Sequence, residues 1–194
     1  MNPIFNQNVF LVKEQVGMFK ASNNFDIFNP ENNQLVLTCR EPNLGFFTKL
    51  FRFTDYKKMT PFSIEIKMAT GELVLQIKRG VAIFRSDVDV FDGGGRKIGV
   101  FKQQFFSFGG KFEMHDQHDK NLCTLQGKWT GWDFKFSKDH KELATVSKKW
   151  AGLGKEFFTS ADNYVINISD IPENNQLRPL IIAAVMCIDM VFKE

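Results

Sequence analysis

The sequence predicts a mainly β protein, an antiparallel sheet of about twelve strands that curls into a barrel or splits into a sandwich, with an apolar C-terminal helix. Three observations lead there. Along most of the 194 residues, apolar and polar residues alternate in short segments joined by Gly-, Asn- and Asp-rich turns. The chain holds 22 Phe against 2 Tyr and 3 Trp. Phe buries area without needing a hydrogen-bond partner, so a large dry core is available. The last stretch of the chain is apolar on nearly every face.

The elements follow in order. Phe25-Asp26-Ile27-Phe28 leads through Asn29-Pro30-Glu31-Asn32-Asn33 into Leu35-Val36-Leu37. Phe62, Ile64 and Ile66 alternate with Ser63, Glu65 and Lys67; after Thr70-Gly71 the alternation resumes at Leu73, Leu75 and Ile77. Val88 and Val90 turn at Asp92-Gly93-Gly94-Gly95 and return through Ile98 and Val100. Phe112 and Met114 precede the polar run Asp116 to Lys120, with Leu122 and Thr124 beyond it. Trp132, Phe134 and Phe136 lead to Lys138-Asp139-His140-Lys141, then Leu143-Ala144-Thr145-Val146, and a last extended stretch covers Tyr164 to Ile168. Period-two alternation between turns marks half-buried antiparallel hairpins. About six hairpins make a sheet too long to stay open, because unpaired edges invite aggregation, so it curls into a barrel or splits into a sandwich.

Leu180 to Phe192 breaks the rhythm, apolar throughout apart from Asp189, with Pro179 suited to a first helical turn. A helix without a polar face is either enclosed by protein or placed in a membrane. These thirteen residues rise only about 20 Å, short of a hydrocarbon core of about 30 Å. Residues 178–192 are therefore expected to thread the barrel as its centre, with a membrane anchor or an oligomer contact as the alternatives. Asp189 is expected to reach solvent at the barrel mouth, to meet a partner inside, or to serve the transit of an ion or lipid.

Length and composition fit a single domain spanning 1–194, with 43% hydrophobic and 24% charged residues. The formal charge of +3 is mildly basic: it permits attraction to an anionic surface and is too small for a dedicated nucleic-acid binder. Cys39, Cys123 and Cys187 are odd in number and widely spaced, which speaks against a disulfide framework or a zinc cluster. No basic run followed by an apolar stretch opens the chain, so a cytoplasmic location, peripheral to membranes where it meets them, is the expectation.

No residue pattern calls for catalysis. His115, Asp116, His118 and Asp119 read as exposed polar turn residues rather than convergent metal ligands. Asp87, Asp89 and Asp92 begin like a calcium loop, but Phe91 takes a ligand position and Gly93 comes one place late. Gly93-Gly94-Gly95 lacks the Lys-Ser/Thr ending of a phosphate loop, and no serine sits in a nucleophile elbow. Basic residues come in small groups at Lys57-Lys58, Lys78-Arg79, Lys148-Lys149 and Lys155. They read either as solvated edges or as a patch that converges on anionic headgroups.

The C-terminal fifty residues carry a resemblance. Val146-Ser147-Lys148-Lys149-Trp150-Ala151-Gly152-Leu153, Phe157-Phe158-Thr159-Ser160-Ala161-Asp162-Asn163-Tyr164 and Ile182 to Phe192 resemble, in order and spacing, three segments of the phospholipid scramblases. These belong with the plant LURP-one-related proteins in the tubby C-terminal-like superfamily. The resemblance implies a closed twelve-stranded barrel around a C-terminal helix. It also implies a non-enzymatic protein that binds phospholipid at membranes, with phospholipid scrambling as the family's associated activity. The lipid-binding candidates are Lys148, Lys149, Lys155, Lys57 and Lys58, and the partner is an anionic phospholipid or membrane surface. An intracellular β-barrel module for a protein partner is the alternative, and nucleic acid is not expected. The chain departs from the scramblase pattern: it shows no proline-rich N-terminal extension and no acyl-carrying cysteine cluster. The family's calcium loop is degenerate here. Ser160 stands where the loop begins with Asp, and Tyr164, Ile166 and Ile168 take later ligand positions, leaving Asp162 and Asp170 as a remnant. No cofactor is expected, calcium included.

Overall fold

A computed structural model describes residues 1–15, 24–42, 60–81, 87–103, 111–128, 133–148 and 163–192, with the backbone alone for Cys187 and residues 189–192. The strands are β1 (Val9–Glu14), β2 (Phe25–Asn29), β3 (Gln34–Arg40), β4 (Phe62–Met68), β5 (Leu73–Arg79) and β6 (Asp87–Asp92). They continue as β7 (Lys97–Gln103), β8 (Lys111–Asp116), β9 (Asn121–Lys128), β10 (Asp133–Lys138), β11 (Lys141–Ser147) and β12 (Asn163–Ile168), and the helix α1 is Leu177–Phe192. Each strand pairs antiparallel with its sequence neighbours, and β1 pairs with β12 to close the barrel. The predicted mainly β barrel with its C-terminal helix is therefore present, and α1 begins one residue before the expected 178.

Register explains why the sheet closes. Cross-strand partners face the same side, and the inward partners are apolar nearly all the way round: Ile64 opposite Ile77, Ile77 opposite Val90, Phe101 opposite Met114, Met114 opposite Cys123, Val146 opposite Ile166, Ile166 opposite Phe10. The outward rows are charged and complementary, with Lys78 opposite Asp89, Lys102 opposite Glu113 and Lys128 opposite Asp133. Apolar inside and charged outside is the reverse of the lipid-facing pattern of a membrane barrel. Among the described residues no helix is long and apolar enough to cross a membrane.

The inward residues need something to pack against, and α1 supplies it. From Leu180 to Met186, and again at Ile188, no side chain is more than 4% exposed. Consecutive residues point about 100° apart around a helix, so such a run is buried only when the helix is surrounded on all sides. The helix residues form one hydrophobic cluster with the inward residues of the strands. α1 enters with its first N–H groups satisfied by Asn175, whose side-chain oxygen accepts from Leu177 at 2.9 Å and whose carbonyl accepts from Arg178 at 3.1 Å.

Gly99 marks the closest approach of wall and helix. A Cβ built there would lie 2.7 Å from Leu180 Cδ2 and 2.8 Å from the His115 carbonyl oxygen. Gly127 does the same against β10, where a Cβ would lie 2.3 Å from the Asp133 carbonyl oxygen.

The two ends of the barrel differ. At the end where α1 enters, five tight hairpins join β2–β3, β4–β5, β6–β7, β8–β9 and β10–β11. Each has a β-bulge at the same place, just after the turn, and the unpaired residues are Val36, Val74, Ile98, Leu122 and Leu143. All five are apolar and pack in or against the core. A bulge re-aims a side chain that strict alternation would have sent outward, so this rim folds in around the start of the helix.

Gly99→Ala is expected to destabilise the fold by about 1–3 kcal/mol, because one methyl overpacks the contact between wall and helix. Urea denaturation at neutral pH measures it; an unchanged midpoint would show that Leu180 does not pack where described.

Candidate functional site

The α1-entry end is built from polar turns with little left unsatisfied. Asp116, the last residue of β8, accepts backbone hydrogen bonds from His118 at 2.8 Å and Lys120 at 3.0 Å. The Lys120 amide, then that of His118, with the charges of both side chains, hold its carboxyl below the ordinary carboxylate range against the opposing effect of burial. Asp119 pairs with Lys102 and is likewise held low, first by that lysine. His115 is not the exposed turn residue expected. Its side chain is 12% exposed, with Nε2 3.1 Å from Glu113 Oε2 and Nδ1 2.9 Å from the Asp119 carbonyl oxygen. The two ring nitrogens face different partners in different directions, so the ring braces the β8–β9 turn and does not converge with the carboxylates on a metal.

Arg178 holds the same end together. It is 3% exposed. Its Nε donates to the carbonyls of Ile171 and Pro172 at 3.1 and 3.0 Å, Nη1 to those of Phe5, Asn6 and Gln7 at 3.1–3.2 Å, and Nη2 to Asn8 Oδ1 and Ile171 O at 2.7 Å. The planar fork thus ties the N-terminal segment to the link between β12 and α1. Desolvation pulls its pKa below the usual guanidinium value. A cation in the first helical turn is disfavoured by the helix dipole, and the fan of carbonyl oxygens offsets that cost.

The strand ends that flank the lipid-binding candidates in sequence belong to the other end of the barrel. Strands β3 and β4 flank the connection holding Lys57 and Lys58, and β11 and β12 flank the one holding Lys149 and Lys155. All four lysines lie outside the described residues, as do Asp162, the pairs Phe46-Phe47 and Phe105-Phe106, and the three Trp. Lys148 is described: it follows β11 directly and is half-buried. The side chain of Asp189 is not described.

Three positions of the degenerate calcium loop and one remnant carboxylate are among the described residues. Tyr164, Ile166 and Ile168 are inward and buried in the core. Asp170 lies past the far end of β12, at the α1-entry end, where it pairs with Lys141. Asp162, the other carboxylate of the remnant, lies outside the described residues. Among the described residues no group of three or more His, Cys, Asp or Glu is placed to hold a metal. Cys39 and Cys123 are buried, free thiols, and burial pushes Cys123 up to about 12, which makes it a core residue rather than a nucleophile.

With this barrel and its enclosed helix in view, comparison with known proteins is informative. A family model described as Scramblase matches residues 4–194. The chain belongs to the scramblase family. It is 22% identical over 192 residues to a phospholipid scramblase family protein of Schizosaccharomyces pombe, covering 89% of this chain and 49% of that protein. It is 21% identical over 194 residues to the altered inheritance rate of mitochondria protein 25 of Saccharomyces cerevisiae, covering 84% and 59%. The chain thus spans about half the length of these relatives. An Arabidopsis thaliana protein solved by X-ray crystallography shares the fold, with a TM-score of 0.58 at 14% identity over 98% of this chain and 96% of that one.

The depressed Asp116 carboxyl makes a pH prediction. A carboxylate held low in the fold adds stability above the ordinary carboxylate range, and that contribution is lost as pH falls through its own lowered value. Asp116→Asn should therefore be less stable than wild type at neutral pH. The gap should close as both are titrated into acid, as read by urea midpoints from neutral pH downward. A gap that stays constant with pH would refute the assignment.

Proposed function

We propose that the protein binds phospholipid membranes peripherally, with the end of the barrel opposite the α1 entry turned toward an anionic surface. Membership of the scramblase family supports a lipid-related role. One observation carries the orientation: the strand ends flanking Lys57-Lys58 and Lys148-Lys149-Lys155 all belong to the same end of the barrel. The internal connections outside the described residues hold eight Lys or Arg against three Asp or Glu, together with 15 of the chain's aromatic residues. Basic residues near an anionic leaflet contribute about 1 kcal/mol each, and the amphipathic rings among those aromatics, Tyr56, Trp129, Trp132 and Trp150, are of the kind that favours the interface. The outward rows of β5 to β10 are charged, which favours water there and contact through that end. Transfer of phospholipid between leaflets is the further activity the family suggests, and it is measured separately on the same vesicles.

Binding of this kind is electrostatic. The protein should co-sediment with vesicles containing phosphatidylserine, dissociate between about 0.05 and 0.5 M salt as the Debye length shrinks, and ignore neutral vesicles. The fourfold variant Lys57→Glu, Lys58→Glu, Lys149→Glu, Lys155→Glu should lose binding while keeping its circular dichroism spectrum. Wild type that ignores anionic vesicles at low salt would overturn the proposal and favour a barrel that serves a protein partner.

We further propose that this engagement is independent of calcium, since Tyr164, Ile166 and Ile168 point into the core. Millimolar calcium should leave the melting temperature and the vesicle-bound fraction unchanged. Saturable micromolar binding by calorimetry would contradict this.

A further inference from the structure

A cavity of 870 Å³ opens at the α1-entry end, between the N-terminal segment, the first turn of α1 and the turns that join β4–β5, β6–β7 and β8–β9. Its volume falls in the range of sites that take small molecules. The floor is apolar. Val74 and Ile98, the unpaired residues of their hairpin bulges, line it beside Leu73 and Pro179. Leu73 and Ile98 are only half-buried, so apolar surface is left open there.

The rim is balanced in charge. The Met1 ammonium and the Arg96 guanidinium stand against the carboxylates of Glu72 and Asp92, two of each sign. Asp92 and Arg96 are paired, with Oδ2 accepting from Nε at 3.1 Å, and Asp92 Oδ1 also accepts from the amides of Gly94 and Arg96 at 3.1 and 2.9 Å. A charged head of either sign meets attraction from part of this rim and repulsion from another part. It also gives up hydration to enter, so the rim selects neither sign.

The side-chain amides are what remains to recognise a head. Asn2 is spent inside the chain: its oxygen accepts from the Ile4 amide at 3.0 Å and its nitrogen donates to Met68 Sδ at 3.2 Å. Gln117 uses one end of its amide, with His118 Nε2 at 3.1 Å, and Asn174 uses one end, with Asn6 Nδ2 at 3.4 Å. Gln176 is exposed and uses neither end among the described residues. Each such amide carries an acceptor oxygen and two N–H donors, so the rim presents both kinds of group side by side. Hydroxyls, which donate and accept at once, are their match.

We propose that this cavity binds an uncharged single-chain amphiphile with a polyhydroxyl head, its hydroxyls at Gln117, Asn174 and Gln176 and its chain along Leu73, Ile98 and Pro179. The site is at the opposite end of the barrel from the proposed membrane contact and stands independently of it.

Amide chemical shifts of the isotope-labelled full chain test the proposal, with octyl glucoside below its micelle concentration as the ligand. Shifts should concentrate at residues 72–75, 93–98, 117 and 174–176. Affinity should rise about two- to fourfold per added methylene from butyl to octyl glucoside as the chain covers the floor, and glucose alone should cause no shifts there. Octylammonium, octyl sulfate and octylphosphocholine should each bind at least about threefold more weakly than octyl glucoside. The double variant Gln117→Ala, Gln176→Ala, at two exposed positions, should weaken octyl glucoside about fivefold and leave 1-octanol within about twofold. That contrast separates lost hydroxyl contacts from a damaged floor. Shifts scattered over the whole surface, no dependence on chain length, or equal or tighter binding of any of the three charged octyl compounds would each overturn the assignment. So would an unchanged octyl glucoside affinity in the double variant, or an equal loss of both ligands.

Discussion

A helix with no polar face has to be enclosed, and the rest of the architecture follows from that need. Twelve short strands turning their apolar sides to one axis create a volume too wide for their own side chains to fill. α1 fills it, and its side chains from Leu180 to Met186 are buried among the strands' inward residues. Wall and helix are mutually obligatory: neither buries its apolar surface without the other. Gly99 shows how tight the fit is, since the wall gives up a side chain where Leu180 arrives.

Given that dependence, the two ends of the barrel divide the work. The α1-entry end fixes the helix in place through tight turns, apolar bulges and the carbonyl clamp of Arg178. The connections between the strand ends on the opposite side are the longer ones in sequence, and their parts outside the described residues hold eight of the 25 Lys and Arg residues and 15 of the 27 aromatic ones. This arrangement allows loops to be varied without disturbing the core, a common solution for binding proteins.

Much of this fold was legible in the sequence, because alternation reports directly which side of a strand is buried. Eleven strands follow from it. β1 does not, and the reason is visible in its packing: Phe10, Leu11 and Val12 are all buried, so the run Val9 to Val12 has no period to read. Leu11 lies opposite Val165, and both are buried on the outer side of the wall. The bulges were hidden for a related reason. Each leaves two adjacent apolar residues after a turn, as in Leu73-Val74-Leu75, which reads as ordinary alternation with one residue too many. The candidate site was less legible still. Arg178 carries no signal in the sequence, because its acceptors Phe5 to Asn8 lie at the far end of the chain, and no local pattern announces contacts of that range. The cavity likewise joins the N-terminal segment, two hairpins and the helix, and its chemistry exists only once they meet. The lysine groups were visible as groups, but only the topology assigns their flanking strands to one end.

The closure of β1 against β12 also bears on how the protein is made. The first strand waits for the last, and the helix that completes the core comes after both. During synthesis the emerging hairpins can form locally, but their Phe- and Ile-rich sides have nothing to cover them and the growing sheet keeps two open edges. Commitment to the native state is thus deferred until the segments from β1 to α1 have all emerged from the ribosome, because the closing contact of β1 with β12 and the seating of α1 join parts of the chain that are far apart in sequence. Such a topology folds slowly and late, which makes the nascent chain, rather than the finished barrel, the stage at which this protein depends most on chaperones.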